Sequence, residues 1–104
     1  MSIKIGNYTA EGPYNSTSHL KDQSGVYTIL TIAKAGGNWT VLDVGESHAV
    51  KSRVENHDRS DCWSRNNAGE LGVAVIYTPN QQQAGRRQIE QAIRNQFRPV
   101  CGIN

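Results

Sequence analysis

The sequence is poor in the residues that mark several classes of protein. It has two cysteines, three prolines and seven aromatic residues among 104. Cys62 and Cys101 are far apart and neither belongs to a CxxC pair, so they predict neither a disulfide framework nor a zinc site. We expect both to be reduced, with a bridge between them as the less favoured alternative. The three histidines also lack the spacing of metal ligands.

Long apolar runs are absent as well. No stretch approaches the roughly 18 consecutive apolar residues that a membrane span requires, and the N-terminus has no apolar signal core. Together with reduced cysteines, this pattern predicts a soluble cytoplasmic protein without a membrane partner.

The charge of the chain is small but unevenly placed. The net charge is +2, yet residues 1–83 hold seven basic against eight acidic residues. Residues 84–104 hold four arginines against Glu90 alone. This basic excess could meet phosphate groups, although a solvated helix face explains it about as well.

The chain length favours a single domain. Apolar runs at 26–32, 39–44 and 71–77 predict strands, and spacing typical of helices predicts one helix over 48–57 and another that Asn80 caps and Pro99 ends. The fold class we expect is α/β (α+β), a small three-stranded antiparallel sheet flanked by helices, in the order β-β-α-β-α. Residues 1–24 form an N-terminal extension or an edge strand, and 24–104 form the core.

Connections are predicted from turn residues and polarity. Gly12 and Pro13 predict a turn or loop, and Gly36 and Gly37 predict a hairpin turn between the first two core strands. Residues 58–69 are polar and are expected to form a surface loop.

Chemically versatile side chains occur at several of these elements. Tyr27 begins the first core strand directly after Gly25-Val26, Arg53 and His57 are four residues apart on the first helix, and Glu90 lies on the last helix. Each has an ordinary explanation: a core tyrosine, a snorkelling arginine, a histidine at a helix end or an exposed ion-pair ladder with Arg86 and Arg94. Only their order and spacing suggest a common site.

That order resembles the GIY-YIG nuclease family. The resemblance rests on five elements: Gly25-Val26-Tyr27, Asp43-Val44-Gly45-Glu46-Ser47, Arg53 with His57, Glu90 within Gln88–Ile93, and the tail Phe97, Pro99 and Asn104. It covers residues 24–104, and the β-β-α-β-α order is that of the family fold.

The resemblance implies a role for each residue. Tyr27 would activate the attacking water, Arg53 would stabilise charge on the phosphoryl group, and His57 would relay a proton. Glu90 would be the metal ligand, holding one Mg²⁺ or Mn²⁺. A metal ion and a guanidinium would neutralise developing charge, while a phenol with an ordinary pKa of about 10 must be activated to act as a base.

The chain departs from the family pattern at two places. Asp43 stands where the second motif has a tyrosine, and the stretch over residues 28–42 is longer than usual. Asp43 therefore joins the candidate catalytic residues under three interpretations: a second metal ligand, a polar surrogate for the tyrosine, or a sign of lost activity.

These residues predict a metal-dependent endonuclease, that is, a hydrolase of phosphodiester bonds. DNA is the expected substrate and RNA is the less favoured alternative. The first alternative is a degenerate domain that binds nucleic acid or a protein without cleavage, and the second is a plain interaction module. A partner protein or a homodimer could supply targeting. The candidate nucleic-acid contacts are basic: Lys51, Arg86, Arg87, Arg94 and Arg98.

Overall fold

The computed structural model describes residues 1–33 and 37–102. Five strands and three helices occur in the order β1, β2, β3, β4, α1, α2, β5 and α3. The strands are β1 (Ser2–Ile5), β2 (Tyr8–Tyr14), β3 (Gly25–Ala33), β4 (Thr40–Ser47) and β5 (Gly69–Tyr77). The helices are α1 (Val50–Glu55), α2 (Ser60–Arg65) and α3 (Gln83–Phe97), and a 3₁₀ turn covers Thr17–His19.

One antiparallel sheet contains all five strands, in the order β1-β2-β5-β3-β4. The prediction of a three-stranded sheet is therefore wrong, because residues 1–24 contribute β1 and β2 to the edge of the sheet. The three core strands were expected, and β3 lies between β4 and β5 with hydrogen-bonded neighbours on both sides. This placement explains its nearly continuous burial.

The strand β2 passes through the segment in which Gly12 and Pro13 predicted a turn. Its pairing with β5 shifts register between Glu11 and Tyr14, around these two residues. Proline lacks the N–H that a regular ladder needs, so a register shift is one of the few places where a strand tolerates it. The tertiary pairing with β5 outweighs the local turn signal.

The helices also differ from the prediction. The first helix is shorter than expected, and α2 lies inside the segment predicted as a surface loop. Trp63 explains α2, because its side chain is buried and anchors an otherwise polar stretch. The last helix was expected, but the prediction that Asn80 caps it is wrong, because the helix begins at Gln83 with Gln82 as its N-cap residue. Arg86 on this helix is buried.

The core has two layers, one on each face of the sheet. Tyr27 and Ile29 of β3 pack with Val50, Val54 and Trp63 of α1 and α2. On the other face, the remaining cluster joins strand residues to α3: Ile5, Ala10, Val26, Leu30, Val44, Ala74, Ile89 and Ile93. The alternation along β3 thus divides its side chains between the two layers.

The C-terminal segment returns to the sheet edge. The N–H of Cys101 donates to the carbonyl oxygen of Leu42 at 2.9 Å, and Cys101 forms a disulfide with Cys62 of α2. The expectation of two reduced cysteines is therefore wrong. A separation of 39 residues gives no local signal for such a bond. Disulfides are typical of oxidising compartments, so the cysteines no longer support the predicted cytoplasmic location.

Two sequence predictions, the turn at Gly36 and the tail residue Asn104, lie outside the described residues. Among the helices that the structure describes, none has the length and hydropathy that crossing a membrane would require.

Candidate active site

A buried tyrosine–histidine pair is the centre of the site. The Tyr27 Oη and His57 Nε2 atoms are 2.6 Å apart, and the two rings meet edge to face. Tyr27 comes from the start of β3. His57 lies two residues after the end of α1, whereas it was expected on the helix. Tyr27 is 1% exposed, and the side chain of His57 is fully buried. The sheet and the first helix therefore bring together two side chains that are 30 residues apart.

The surroundings of His57 fix its protonation. The main-chain N–H of Arg59 donates to Nδ1 at 3.0 Å, so the neutral ring carries its proton on Nε2 and donates it to the Tyr27 oxygen. Burial, with the positive charges of Arg53 and Arg59, lowers the pKa of His57 to about 4. Asp43 and Asp58 oppose this change only in part. His57 is therefore neutral at pH 7 and acts as a hydrogen-bond donor to the phenol.

Tyr27 is correspondingly held as a neutral phenol. Burial raises its pKa to about 12, and nearby Asp43 acts in the same direction. The charges of Arg53 and Arg59 act in the opposite direction by favouring the phenolate. The hydroxyl can serve as a base only after it loses its proton, and these two arginines and His57 are the groups that would stabilise the anion.

Gly45 makes room for the tyrosine. It lies opposite Tyr27 in the β3–β4 pairing, and a Cβ atom at this position would overlap the Tyr27 hydroxyl and ring. The ring thus crosses β4, the edge strand, and brings its hydroxyl toward the margin of the sheet. The glycine of the second motif is explained by this close approach.

Arg53 is the accessible cation beside the pair. Its Nη2 atom donates to Asp58 Oδ1 at 3.1 Å, and its side chain is 40% exposed. Because Asp58 is itself 74% exposed, this ion pair is weak and can be exchanged for another anion. Arg53 is thereby available to a phosphate group that approaches Tyr27.

Glu90 lies on α3, which packs on the face of the sheet opposite to Tyr27, and its carboxylate is within electrostatic range of Asp43 and Arg59. It is half-buried and, within residues 1–33 and 37–102, it has neither an ion pair nor a hydrogen-bond partner. Burial raises its pKa, and Glu46 and Asp43 add to the rise while Arg94 and Arg59 oppose it. The predicted ladder with Arg86 and Arg94 is therefore wrong for the described side chains.

Such a carboxylate fits a cation. Burial and the nearby carboxylates of Glu46 and Asp43 disfavour the charged form of Glu90, and a positive ion beside it would favour that form. The part of the chain that the structure describes has no group of three His, Cys, Asp or Glu residues arranged for a metal. A hard cation such as Mg²⁺ can nevertheless bind through one carboxylate, with water and substrate phosphate as its other ligands.

Asp43 is a saturated structural carboxylate. It is fully buried, and its oxygens accept from Arg59 Nε at 2.8 Å, Arg59 Nη2 at 3.2 Å, Trp63 Nε1 at 2.8 Å, Arg94 Nη2 at 3.0 Å and the Val44 N–H at 2.8 Å. Burial acts to raise its pKa, but the donors outweigh that effect and the pKa lies below its usual value. The geometry favours an anchor over a metal ligand, because five donors surround its two oxygens.

The five predicted nucleic-acid contacts are in different environments. Arg86 is buried and donates to Glu46 at 2.9 Å, and Arg94 is held by Asp43 and by the carbonyl oxygens of Val44 and Cys101. Arg87 and Arg98 are exposed, and Lys51 of α1 is partly exposed. Two of the five thus stabilise the fold, and three remain accessible to phosphate.

Sequence reasoning missed Arg59 and Trp63, which both donate to Asp43. The signal for them was Trp63, a large aromatic residue in a stretch otherwise composed of polar side chains.

Comparisons with models of known protein families, with curated proteins and with solved structures find no match to this chain.

The buried histidine predicts acid sensitivity of the fold. In the unfolded chain His57 binds a proton near its ordinary pKa of 6.5, whereas in the folded protein it does so only near 4. Between these values protons favour the unfolded state, so the free energy of unfolding should fall by up to about 1.4 kcal/mol for each pH unit as the pH decreases. Urea unfolding at a series of pH values measures this slope.

The control separates His57 from other titrating groups. We expect a shallower slope between pH 4 and 6.5 in the His57→Gln protein. Equal slopes in the wild type and in His57→Gln would show that His57 is not held neutral.

Proposed function

We propose that the protein hydrolyses phosphodiester bonds of nucleic acid, with DNA as the favoured substrate, by the type of chemistry that the resemblance to GIY-YIG nucleases suggests. The observation that carries the proposal is the buried 2.6 Å pair of Tyr27 and His57. The accessible guanidinium of Arg53 acts on this pair. Helix α3 adds Glu90, a carboxylate without a partner among the described residues, which lies within electrostatic range of Asp43 and Arg59.

The proposed chemistry assigns one task to each side chain. Tyr27 first loses its phenolic proton to solvent, and the Nε2–H of His57 stabilises the resulting phenolate, which then accepts a proton from the attacking water. The water oxygen bonds to phosphorus, the P–O bond to the leaving group breaks, and the departing alkoxide takes a proton from solvent. Arg53 exchanges Asp58 for the non-bridging phosphate oxygens.

Glu90 is the residue that would hold a divalent cation such as Mg²⁺ or Mn²⁺ in this proposal. When bound, the cation supplies positive charge that offsets the negative charge developing on the phosphoryl group. The chain's own contribution is a half-buried carboxylate whose pKa is raised by burial and by the negative charges of Glu46 and Asp43.

A second candidate function is binding of nucleic acid without cleavage. The observation that favours it is the burial of Tyr27, which is only 1% exposed. A hydroxyl enclosed to this degree must be reached by a water molecule before it can take part in a reaction. Three accessible cations would still bind phosphate, namely Lys51, Arg87 and Arg98.

The test is nicking of supercoiled plasmid, with single-stranded DNA and RNA as further substrates. We expect cleavage by the wild type with Mg²⁺ or Mn²⁺ and none with a chelator. Glu90→Gln removes the charge that would hold the cation and should lower the rate by about 100-fold or more. Glu70→Gln, at an exposed position of β5, makes the same chemical change away from the site and should leave the rate unchanged.

The outcomes separate the two candidate functions. Metal-dependent cleavage that Glu90→Gln abolishes and Glu70→Gln preserves would support the nuclease. Salt-dependent DNA binding by a wild type that cuts none of these substrates would favour the binding domain. Cleavage that is equal in the wild type and in Glu90→Gln would place the activity elsewhere.

A further inference from the structure

Arg59 occupies an unusual position at the junction of the site and the fold. It directly precedes α2, two residues after His57, and its side chain is 29% exposed. Its main chain contacts the site and its side chain contacts the core: the N–H donates to His57 Nδ1, and the guanidinium forms a two-point ion pair with Asp43. A single residue thus connects the histidine to the buried carboxylate.

Asp43 makes this connection rigid. Its carboxylate is fully buried and is fixed independently by Trp63 of α2 and Arg94 of α3. Because Arg59 binds it through both Nε and Nη2, the guanidinium cannot rotate without breaking two charge-assisted hydrogen bonds. The main-chain N–H of residue 59 is therefore held at a fixed place beside the Nδ1 atom of His57.

The charge of Arg59 also acts on the reacting pair. Besides Arg59, three charged groups act on Tyr27 or His57 from the surrounding elements: Arg53 of α1, Asp58 of the following loop and Asp43 of β4. Asp43 lies near both rings, and without Arg59 its negative charge would oppose formation of the phenolate. The positive charge of Arg59, which pairs with Asp43, offsets this effect and favours the phenolate of Tyr27.

We infer that Arg59, anchored by Asp43, is a positioning residue for the Tyr27–His57 pair. Its main-chain N–H holds His57 in the tautomer that donates from Nε2, and its guanidinium keeps positive charge beside the phenol. The inference gives Asp43, the departure from the nuclease motif, a role in the site that does not require it to bind metal. Its catalytic consequence rests on the proposed function, whereas its effect on His57 does not.

The first experiment reads the histidine directly and does not depend on cleavage. Two-bond ¹H–¹⁵N correlation spectra report the tautomer of His57, and a pH titration reports its pKa. For the wild type we expect the Nε2–H tautomer at pH 7. In Arg59→Met the pKa should rise by about one unit as the nearby positive charge is lost, and a mixture of tautomers should appear.

Matched variants separate charge from general damage. Arg59→Lys keeps the charge and should hold the pKa of His57 near the wild-type value, while Arg65→Met removes an exposed arginine of α2 and should change neither property. If Arg59→Met does not fold, the charge-balanced double variant Asp43→Asn with Arg59→Met replaces it. A folded Arg59→Met protein with the wild-type tautomer and pKa would overturn the inference, as would an Arg59→Lys protein that behaves like Arg59→Met. The double variant loses two opposite charges that act on His57, so its readout is the tautomer, and a wild-type tautomer in it would also overturn the inference.

The second experiment reads the catalytic consequence. At a fixed pH below the pKa of Tyr27, a rise of one unit in that pKa lowers the phenolate fraction tenfold, so Arg59→Met should cleave about tenfold more slowly. Arg59→Lys should recover most of the rate. If the wild type does not cleave, the proposed function fails, and the spectra of His57 still decide whether Arg59 is a positioning residue.

Discussion

Replacement of Asp43 with alanine is expected to unfold the domain or to lower its free energy of unfolding by about 3–5 kcal/mol. The change removes the common acceptor of Arg59, Arg94 and Trp63, whose donors converge on one fully buried carboxylate. Two cationic groups and one indole N–H would then lack their partner in the interior. Since a domain of this size is stable by about 5–15 kcal/mol, such a loss is a large fraction of the total.

Urea denaturation measures this loss, and Asp58→Ala is its matched control. Asp58 also pairs with an arginine, but it is 74% exposed, so its removal should change the free energy of unfolding far less. We expect Asp43→Asn to lie between the two, because an amide keeps one acceptor oxygen. If Asp43→Ala were as stable as Asp58→Ala, the buried network would not hold the fold together.

Gly45→Ala is expected to displace the side chain of Tyr27. The new Cβ would overlap the Tyr27 hydroxyl and ring, so that either the ring or the β4 backbone must move. Overpacking of this kind costs about 1–3 kcal/mol or more, and the 2.6 Å contact with His57 should be lost. The free energy of unfolding and the proposed cleavage rate should therefore fall together.

Two further variants of this protein test whether the effect is specific to the contact between Gly45 and Tyr27. Gly85→Ala in α3 should be neutral or slightly stabilising, because the new Cβ meets chiefly the side chain of Gln81 and alanine favours a helix. In a double-mutant cycle, Tyr27→Leu should reduce the cost of Gly45→Ala, since the smaller side chain relieves the overlap. Strict additivity of the two changes would contradict the close packing of Tyr27 on Gly45.

The sequence carried enough information for the core strands and the last helix, because their apolar runs are continuous and their ends have proline or turn signals. The N-terminal strands were missed because Gly12 and Pro13 dominate the local pattern, while the pairing with β5 that stabilises β2 is a tertiary effect. Likewise, α2 and the disulfide depend on where Trp63 and Cys101 meet the sheet.

For the site, motif order suggested that Tyr27, Arg53, His57 and Glu90 act together, and it left Asp43 open. The network around Asp43 depends on a register shift between β3 and β4, which places Asp43 opposite Ile29 and Val41 opposite Leu30. It also depends on Arg59, which comes from a segment with no strong local signal. Neither feature has a periodicity that a sequence can reveal.

The central claim is that the buried phenol takes part in cleavage, and the rate of metal-dependent plasmid nicking by Tyr27→Phe tests it most directly. Phenylalanine keeps the ring over Gly45 and removes only the hydroxyl that His57 contacts. We predict a loss of roughly 100-fold or more relative to the wild type, with the protein still folded. A folded Tyr27→Phe protein that nicks DNA at the wild-type rate would contradict the account.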